Sequence, residues 1–150
     1  MIKNKDKVYK NKYVLLKEKY RTDEETSFDG IPTVYYEILQ TDGNTKVGTI
    51  ELRLSIKDDM YYYGHVGYNI IRKYRGNHYA YYACKLLFTI ANKEFEMKEL
   101  LITCSPDNVA SYKTLKKLPF SNIDLIEVPK GHTLYKLGER NKFVFKYNID

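Results

Sequence analysis

Between residues 47 and 95 the hydrophobic pattern changes its period, and the change falls on a short basic turn. In residues 47–56, Ile50, Leu52, Leu54 and Ile56 alternate with Thr49, Glu51, Arg53 and Ser55. That is the period of two of a half-buried strand. Residues 61–71 read as another strand with Gly64 and Gly67 inside it, and glycine in a strand marks a bulge or a close backbone approach. Farther on, Ala80, Ala83, Cys84, Leu87, Ala91 and Phe95 recur on one helical face. The junction is Arg72-Lys73-Tyr74-Arg75-Gly76-Asn77-His78-Tyr79-Ala80, with a helix predicted from about Asn77. A helix start presents unpaired N–H groups and the positive end of the helix dipole. A glycine before it lets an anion approach the backbone. The residues alone leave two readings open, a phosphate seat or a solvated basic turn.

The rest of the chain extends this into a mixed α/β order. Strands are expected at 13–20 and 34–41, separated by a polar loop at 21–33 with Asp29-Gly30 and Pro32 as turn signals. The lysine-rich first twelve residues are expected to fray or pack weakly. Residues 100–104 form a short apolar run of the buried-strand type. Ser105-Pro106 is expected to open a second helix, serine as N-cap and proline at the first helical position, ending near Leu118 before Pro119. Residues 122–128 and 142–149 read as closing strands around a long loop. Four strands, helix, strand, helix and two strands make one domain over residues 1–150.

Composition narrows the function classes. A chain of 150 residues with 8 Gly, 4 Pro and 2 Cys is neither collagen-like nor a disulfide scaffold. With 16 Tyr and 6 Phe it can bury a core. The longest apolar run, Tyr79 to Cys84, falls far short of the roughly 18 residues a membrane span needs. The basic N-terminus has no apolar stretch of the secretory type, so the cytoplasm is the expected compartment, with Cys84 and Cys104 as free thiols. A net charge of +6 favours an anionic partner: nucleic acid, an anionic membrane surface or a phosphate-bearing cofactor.

The segment from residue 64 to residue 120 carries a family pattern. Gly67-Tyr68-Asn69-Ile70 is followed by Arg75-Gly76-Asn77-His78-Tyr79-Ala80. Then come Leu101-Ile102-Thr103-Cys104-Ser105-Pro106-Asp107-Asn108-Val109-Ala110-Ser111, and finally Lys117-Leu118-Pro119-Phe120. In order and spacing this resembles the cofactor-binding core of the GCN5-related N-acetyltransferases, the GNAT superfamily. The Asn108/Ser111 pairing is similar to the branch of ribosomal-protein alanine acetyltransferases. The resemblance implies a GNAT fold, a mixed and largely antiparallel central sheet flanked by helices. It also implies acetyl-CoA as co-substrate, an amine as acceptor (a protein N-terminus or a small-molecule amine), and no metal. Relatives often dimerise, so a homodimer is a possible assembly.

Residue by residue, the resemblance places acetyl-CoA on Asn69, Ile70 and Ile71 of the strand, and on Arg72, Arg75, Gly76, Asn77, His78, Tyr79 and Ala80 of the turn. Asn108 would hold the pantetheine or a water. A backbone N–H near Ile70 would stabilise the oxyanion. For protonating the leaving thiolate, many relatives use a tyrosine where this chain has Leu115, so Ser111 and then Tyr112 become the candidates. The candidate bases are His65 and Glu51; the alternative for each is a structural or solvated residue.

Three departures from the pattern are visible. His78 stands where the phosphate loop has its first glycine, and Pro119 stands where glycine precedes the phenylalanine. Residues 21–33 are too few for the two helices that usually wall the acceptor site, so the region between the first two strands is shortened. Two other function classes stay open on the sequence: a GNAT-fold protein that binds acyl-CoA without turnover, and a nucleic-acid-binding module. The second is the weaker, because Lys and Arg are scattered and no recognition motif is present.

Overall fold

The computed structural model describes residues 7–27, 29–57 and 61–150. Five strands form one antiparallel sheet in chain order: β1 (Val8–Lys10), β2 (Leu15–Thr22), β3 (Thr33–Leu39), β4 (Lys46–Arg53) and β5 (Val66–Ile70). A second, three-stranded sheet has the order β6 (Glu99–Cys104), β8 (Asn141–Asn148), β7 (Asn122–Glu127). Helix α1 (Tyr79–Phe95) joins β5 to β6, and α2 (Val109–Lys117) joins β6 to β7.

The period-two pattern of β4 has a direct cause. Ile50 and Leu52 are buried with Leu16, Val34, Tyr36 and Ile38. They pack in one core with Ala83, Cys84, Leu87, Ile90 and Ala91 of α1. Burying aliphatic side chains of this size contributes roughly 1.5–3 kcal/mol each. Among the described residues no helix lies over the opposite face of the sheet. Residues 23–27 and 29–32, between β2 and β3, form turns and bends, as the shortened region predicts. The mixed, largely antiparallel fold with flanking helices is therefore as expected.

Five local expectations are corrected. Val8–Lys10 does not fray but pairs with β2. It is held from the side: Tyr9 packs edge-on against Tyr36, and the Tyr9 hydroxyl and Lys7 ammonium both donate to Glu94 at the end of α1. Strand β4 stops at Arg53 rather than 56: the Leu54 N–H still donates to Pro32 O at 2.9 Å, in register with the Thr33–Arg53 pair, but proline has no N–H to return the bond. Residues 61–63 are a turn, and Gly64, with φ of +71°, separates it from β5. Asn108, not Ser105, caps α2: its side chain accepts the Ser111 N–H at 3.1 Å, while Ser105 O takes the Asn108 N–H in a tight turn. Finally, the expected loop 129–141 contains a one-turn helix, α3 (Thr133–Lys136), whose Leu134 is buried.

The two sheets touch at one place. Gly64 forms a single bridge with Ile102. The His65 N–H donates to Leu101 O at 2.7 Å, and the Leu101 N–H donates back to His65 Nδ1 at 2.9 Å. Beyond this point β5 and β6 share no ladder, so the strands part into a V. An added Cβ on Gly64 would stand 2.7 Å from Leu101 O. Gly64→Ala should therefore combine a left-handed backbone penalty with a clash against main chain, and cost about 2 kcal/mol or more of unfolding free energy. A chemical denaturation series measures it; a midpoint equal to that of the parent protein would contradict this packing.

The same hinge predicts a pH effect. Burial lowers the His65 imidazole to about 4, with Glu99 opposing and Arg53 reinforcing the shift. The folded state thus prefers neutral His65, whose unfolded value is near 6.5. The stability linked to it is complete above pH 6.5 and is lost as the pH falls toward 4, by about 3 kcal/mol. In His65→Asn, which keeps an acceptor for the Leu101 N–H, unfolding measured between pH 4 and 6.5 should lose most of that slope.

Candidate active site

Antiparallel pairing alternates, so every second residue of an edge strand turns its backbone groups away from its neighbour. Arg53 N donates to His65 O and Ile71 N donates to Val47 O, fixing the phase of the β4–β5 ladder. In that phase Gly67 and Asn69 bond to β4, while the N–H and C=O groups of Val66, Tyr68 and Ile70 face the V. Arg75 Nε already uses one of them, donating to Ile70 O at 2.9 Å. The edge of β5 is thus open to an extended ligand, which would add to the sheet as a strand does.

At the wide end of the V stands the start of α1. The first helical bond runs from Tyr82 N to His78 O, so the N–H groups of the preceding turn have no intrahelical partner. Gly76 has φ of +86°, and an added Cβ there would meet nothing within 4 Å. The turn therefore leaves a hollow where a phosphate can approach main chain. His78 takes φ of +63°. It adopts the left-handed conformation of the glycine it replaces, a strained geometry for a side-chain-bearing residue.

These parts surround a cleft of about 780 Å³. Its wall includes the cations Arg53, Arg75, Lys113, Lys117 and Lys142, against one carboxylate, Glu139, which takes Lys142 Nζ at 3.1 Å. Such an excess of positive charge suits a ligand with several phosphate groups. On the narrow side, Tyr68 reaches across from β5 and its Oη lies 2.6 Å from Ser111 Oγ on α2. Burial pushes the Tyr68 phenol well above the ordinary tyrosine range, so it keeps its proton.

Of the residues singled out in the sequence, Asn69, Ile70, Arg75, Gly76, His78, Tyr79, Ala80, Asn108 and Ser111 line this cleft. Ile71, Arg72 and Asn77 do not. The Ile71 N–H is spent on Val47 O, Arg72 sits in a 3-10 turn (Arg72–Tyr74), and the Asn77 side chain ties down Tyr74 O. Tyr112 packs its ring against Phe143 and Phe145. His65 spends Nδ1 on the hinge. Glu51 lies on the other side of β5, over Gly67, with its Oε1 3.6 Å from Arg53. Leu115 is buried in the core, as its apolar side chain requires. Cys104 borders the cleft but is nearly buried, which pushes its thiol up. Among the described residues no cluster suited to a metal ion occurs. Tyr68, Lys113, Lys117 and Lys142 were not expected. The spacing of 113 and 117 along one helical face was a readable signal; the placement of Tyr68 and Lys142 depends on long-range packing.

A V-shaped parting in a largely antiparallel sheet, with an amide-rich helix start at its open end, defines an acetyltransferase of the GNAT class. The chain belongs to that family: the acetyltransferase (GNAT) domain model matches residues 11–121. Membership sets the reaction class, N-acetyl transfer with acetyl-CoA as co-substrate. No curated protein matches the chain in sequence. Among solved structures, it is similar to the ribosomal-protein-S5-alanine acetyltransferase of Vibrio fischeri, with TM-score 0.69 and 14% identity over 97% of this chain and 98% of that one. It is also similar to RimL, a ribosomal L7/L12 alpha-N-protein acetyltransferase in complex with coenzyme A, with TM-score 0.66 and 13% identity over 96% and 99%. A GNAT-family acetyltransferase from Bacillus anthracis is similar with TM-score 0.59 and 20% identity; the match covers 76% of this chain and 65% of that one.

The cleft makes a direct prediction. Acetyl-CoA at 100 times its Kd should stabilise the protein by about 2.7 kcal/mol. Gly76→Asp, which puts bulk and negative charge into the hollow, should abolish the resulting thermal shift. A shift as large in the variant as in the parent would remove the phosphate group from this turn.

Proposed function

We propose that the chain transfers an acetyl group directly from acetyl-CoA to an amine, within one catalytic domain, and that Ser111 serves the departing sulfur. The observation that carries this reading is the 2.6 Å contact between Tyr68 Oη and Ser111 Oγ across the V. The free edge of β5 would hold the pantetheine arm, and the Ile70 N–H would face the thioester carbonyl. When the amine attacks, that N–H stabilises the oxygen as it gains charge. As the C–S bond breaks, Ser111 gives its hydroxyl proton to the sulfur and recovers one from cleft water, which takes up the second proton that the attacking nitrogen loses. Tyr68, whose proton is firmly held, donates to Ser111 Oγ and so aims the serine proton away from itself, toward the cleft. Tyr68 is a positioning residue in this scheme, and Ser111 takes the place of the tyrosine that Leu115 cannot supply.

For the proton leaving the ammonium, Glu51, over Gly67 on the outer side of β5, is favoured over His65, whose Nδ1 already accepts the Leu101 N–H. Two buried free thiols, Cys84 and Cys104, fit a reducing, cytoplasmic setting. The ribosomal-protein acetyltransferases of similar fold favour a protein N-terminus as acceptor over a small amine. Leu115 keeps one other reading open, acyl-CoA binding without turnover.

Single-turnover acetyl transfer to a panel of amines and N-terminal peptides separates the two. Transfer to at least one is expected; tight acetyl-CoA binding with no transfer would establish the non-catalytic alternative. Ser111→Ala should lower kcat about a hundredfold. Tyr68→Phe should lower it about tenfold, the worth of one oriented hydrogen bond, with KM for acetyl-CoA held within roughly a factor of two in both. A rise in KM at constant kcat would make the pair a binding contact only.

A further inference from the structure

The outer face of the five-stranded sheet, which no helix among the described residues covers, carries a second cavity, of about 890 Å³. It shares Gly67, Tyr68 and Asn69 with the cleft, so β5 is the wall between the two. Its chemistry is polarised. At the β5 end the Glu51 carboxylate lies over Gly67. Beyond it Tyr20 and Tyr35 stack with centroids 4.4 Å apart, a flat aromatic floor. Farther along the same face come Lys17, Lys19 and Lys46. Glu37 sits among them, 3.3 Å from both Lys19 and Lys46. Lys17, paired across the ladder with Glu37, makes no ion pair with any described residue. Three ammonium groups around one carboxylate leave an excess of positive charge.

We infer that this face holds the acceptor, and that the acceptor is the acidic N-terminal segment of a protein. The inference rests on the acetyl-transfer reading and names its substrate class. An α-ammonium at Glu51 stands beside the shared wall of the cleft. Successive residues of an extended segment advance about 3.3 Å each. Side-chain carboxylates at its second to fourth positions therefore fall roughly 3–10 Å farther along, in the direction of the lysine end. A polyamine or other polycation would meet like charge there. The missing helices between β2 and β3 leave the face wide enough for main chain rather than for a small metabolite alone.

The test uses three peptides that share an N-terminal alanine and differ at positions two to four: Asp-Asp-Glu, Asn-Asn-Gln and Lys-Lys-Lys. Binding to the coenzyme A-loaded protein is followed by fluorescence anisotropy, and transfer by kcat/KM at saturating acetyl-CoA. The acidic peptide should lead the neutral one by about tenfold, falling with added salt, since exposed charge pairs are individually weak and screened. In the double variant Lys17→Glu, Lys46→Glu the order should invert toward the basic peptide. Such a gain cannot arise from misfolding. Equal binding of all three peptides, or an order unchanged by the charge reversal, overturns the proposal. Peptide binding in the expected order with no acetyl transfer to any of them overturns the catalytic reading and leaves the docking assignment standing.

Discussion

Everything at the centre of this protein depends on one pair of reciprocal hydrogen bonds. His65 and Leu101 exchange them, His65 N–H to Leu101 O and Leu101 N–H to His65 Nδ1, next to the Gly64–Ile102 bridge. They tie two sheets at a single point. Because the tie is a point and not a ladder, the strands beyond it separate, and β5 keeps an unpaired edge in the protein interior. Unpaired main chain is costly when buried. Here the V opens it to solvent and to a ligand able to pair with it. The imidazole that the sequence offered as a base spends its Nδ1 here, in place of a main-chain acceptor.

The charge distribution follows the same division. Phosphate-binding capacity gathers on the cleft side, where α1, α2 and β8 each contribute cations or free N–H groups. The outer face separates the Glu51 carboxylate beside β5 from the ammonium groups of Lys17, Lys19 and Lys46. A net charge of +6 says nothing of this arrangement. What matters is which side of β5 each charge occupies, and the alternation of strand residues sets that.

Much of the fold was legible in the sequence because local pattern and tertiary environment agree. The alternation in β4 is clean because one face meets α1, while Thr49, Glu51 and Arg53 on the other stay wholly or partly exposed. The helical stripe of α1 is clean for the matching reason. The failures lie where distant contacts override local signals. Val8–Lys10 is short and lies in a lysine-rich stretch, yet Glu94 and Tyr36 hold it in the sheet. Ser105-Pro106 has the sequence of a helix start, but a turn that ends on Asn108 uses it first. Around the cleft, the helix start was legible from spacing and Ser111 from resemblance, and both line it. Tyr68 was not, since its role comes from meeting a hydroxyl on α2, 43 residues away in the chain. Ile71 failed for a reason of phase: one residue beyond Ile70, its N–H points the other way.

Residue-resolved amide exchange along β5, with and without acetyl-CoA, tests the account most directly. Gly67 and Asn69, bonded to β4, should exchange slowly in both states. Tyr68 and Ile70, facing the V, should exchange fast in the free protein and become protected when the thioester binds. Protection that ignores this alternation, or amides at Tyr68 and Ile70 that stay fast with ligand bound, would contradict it.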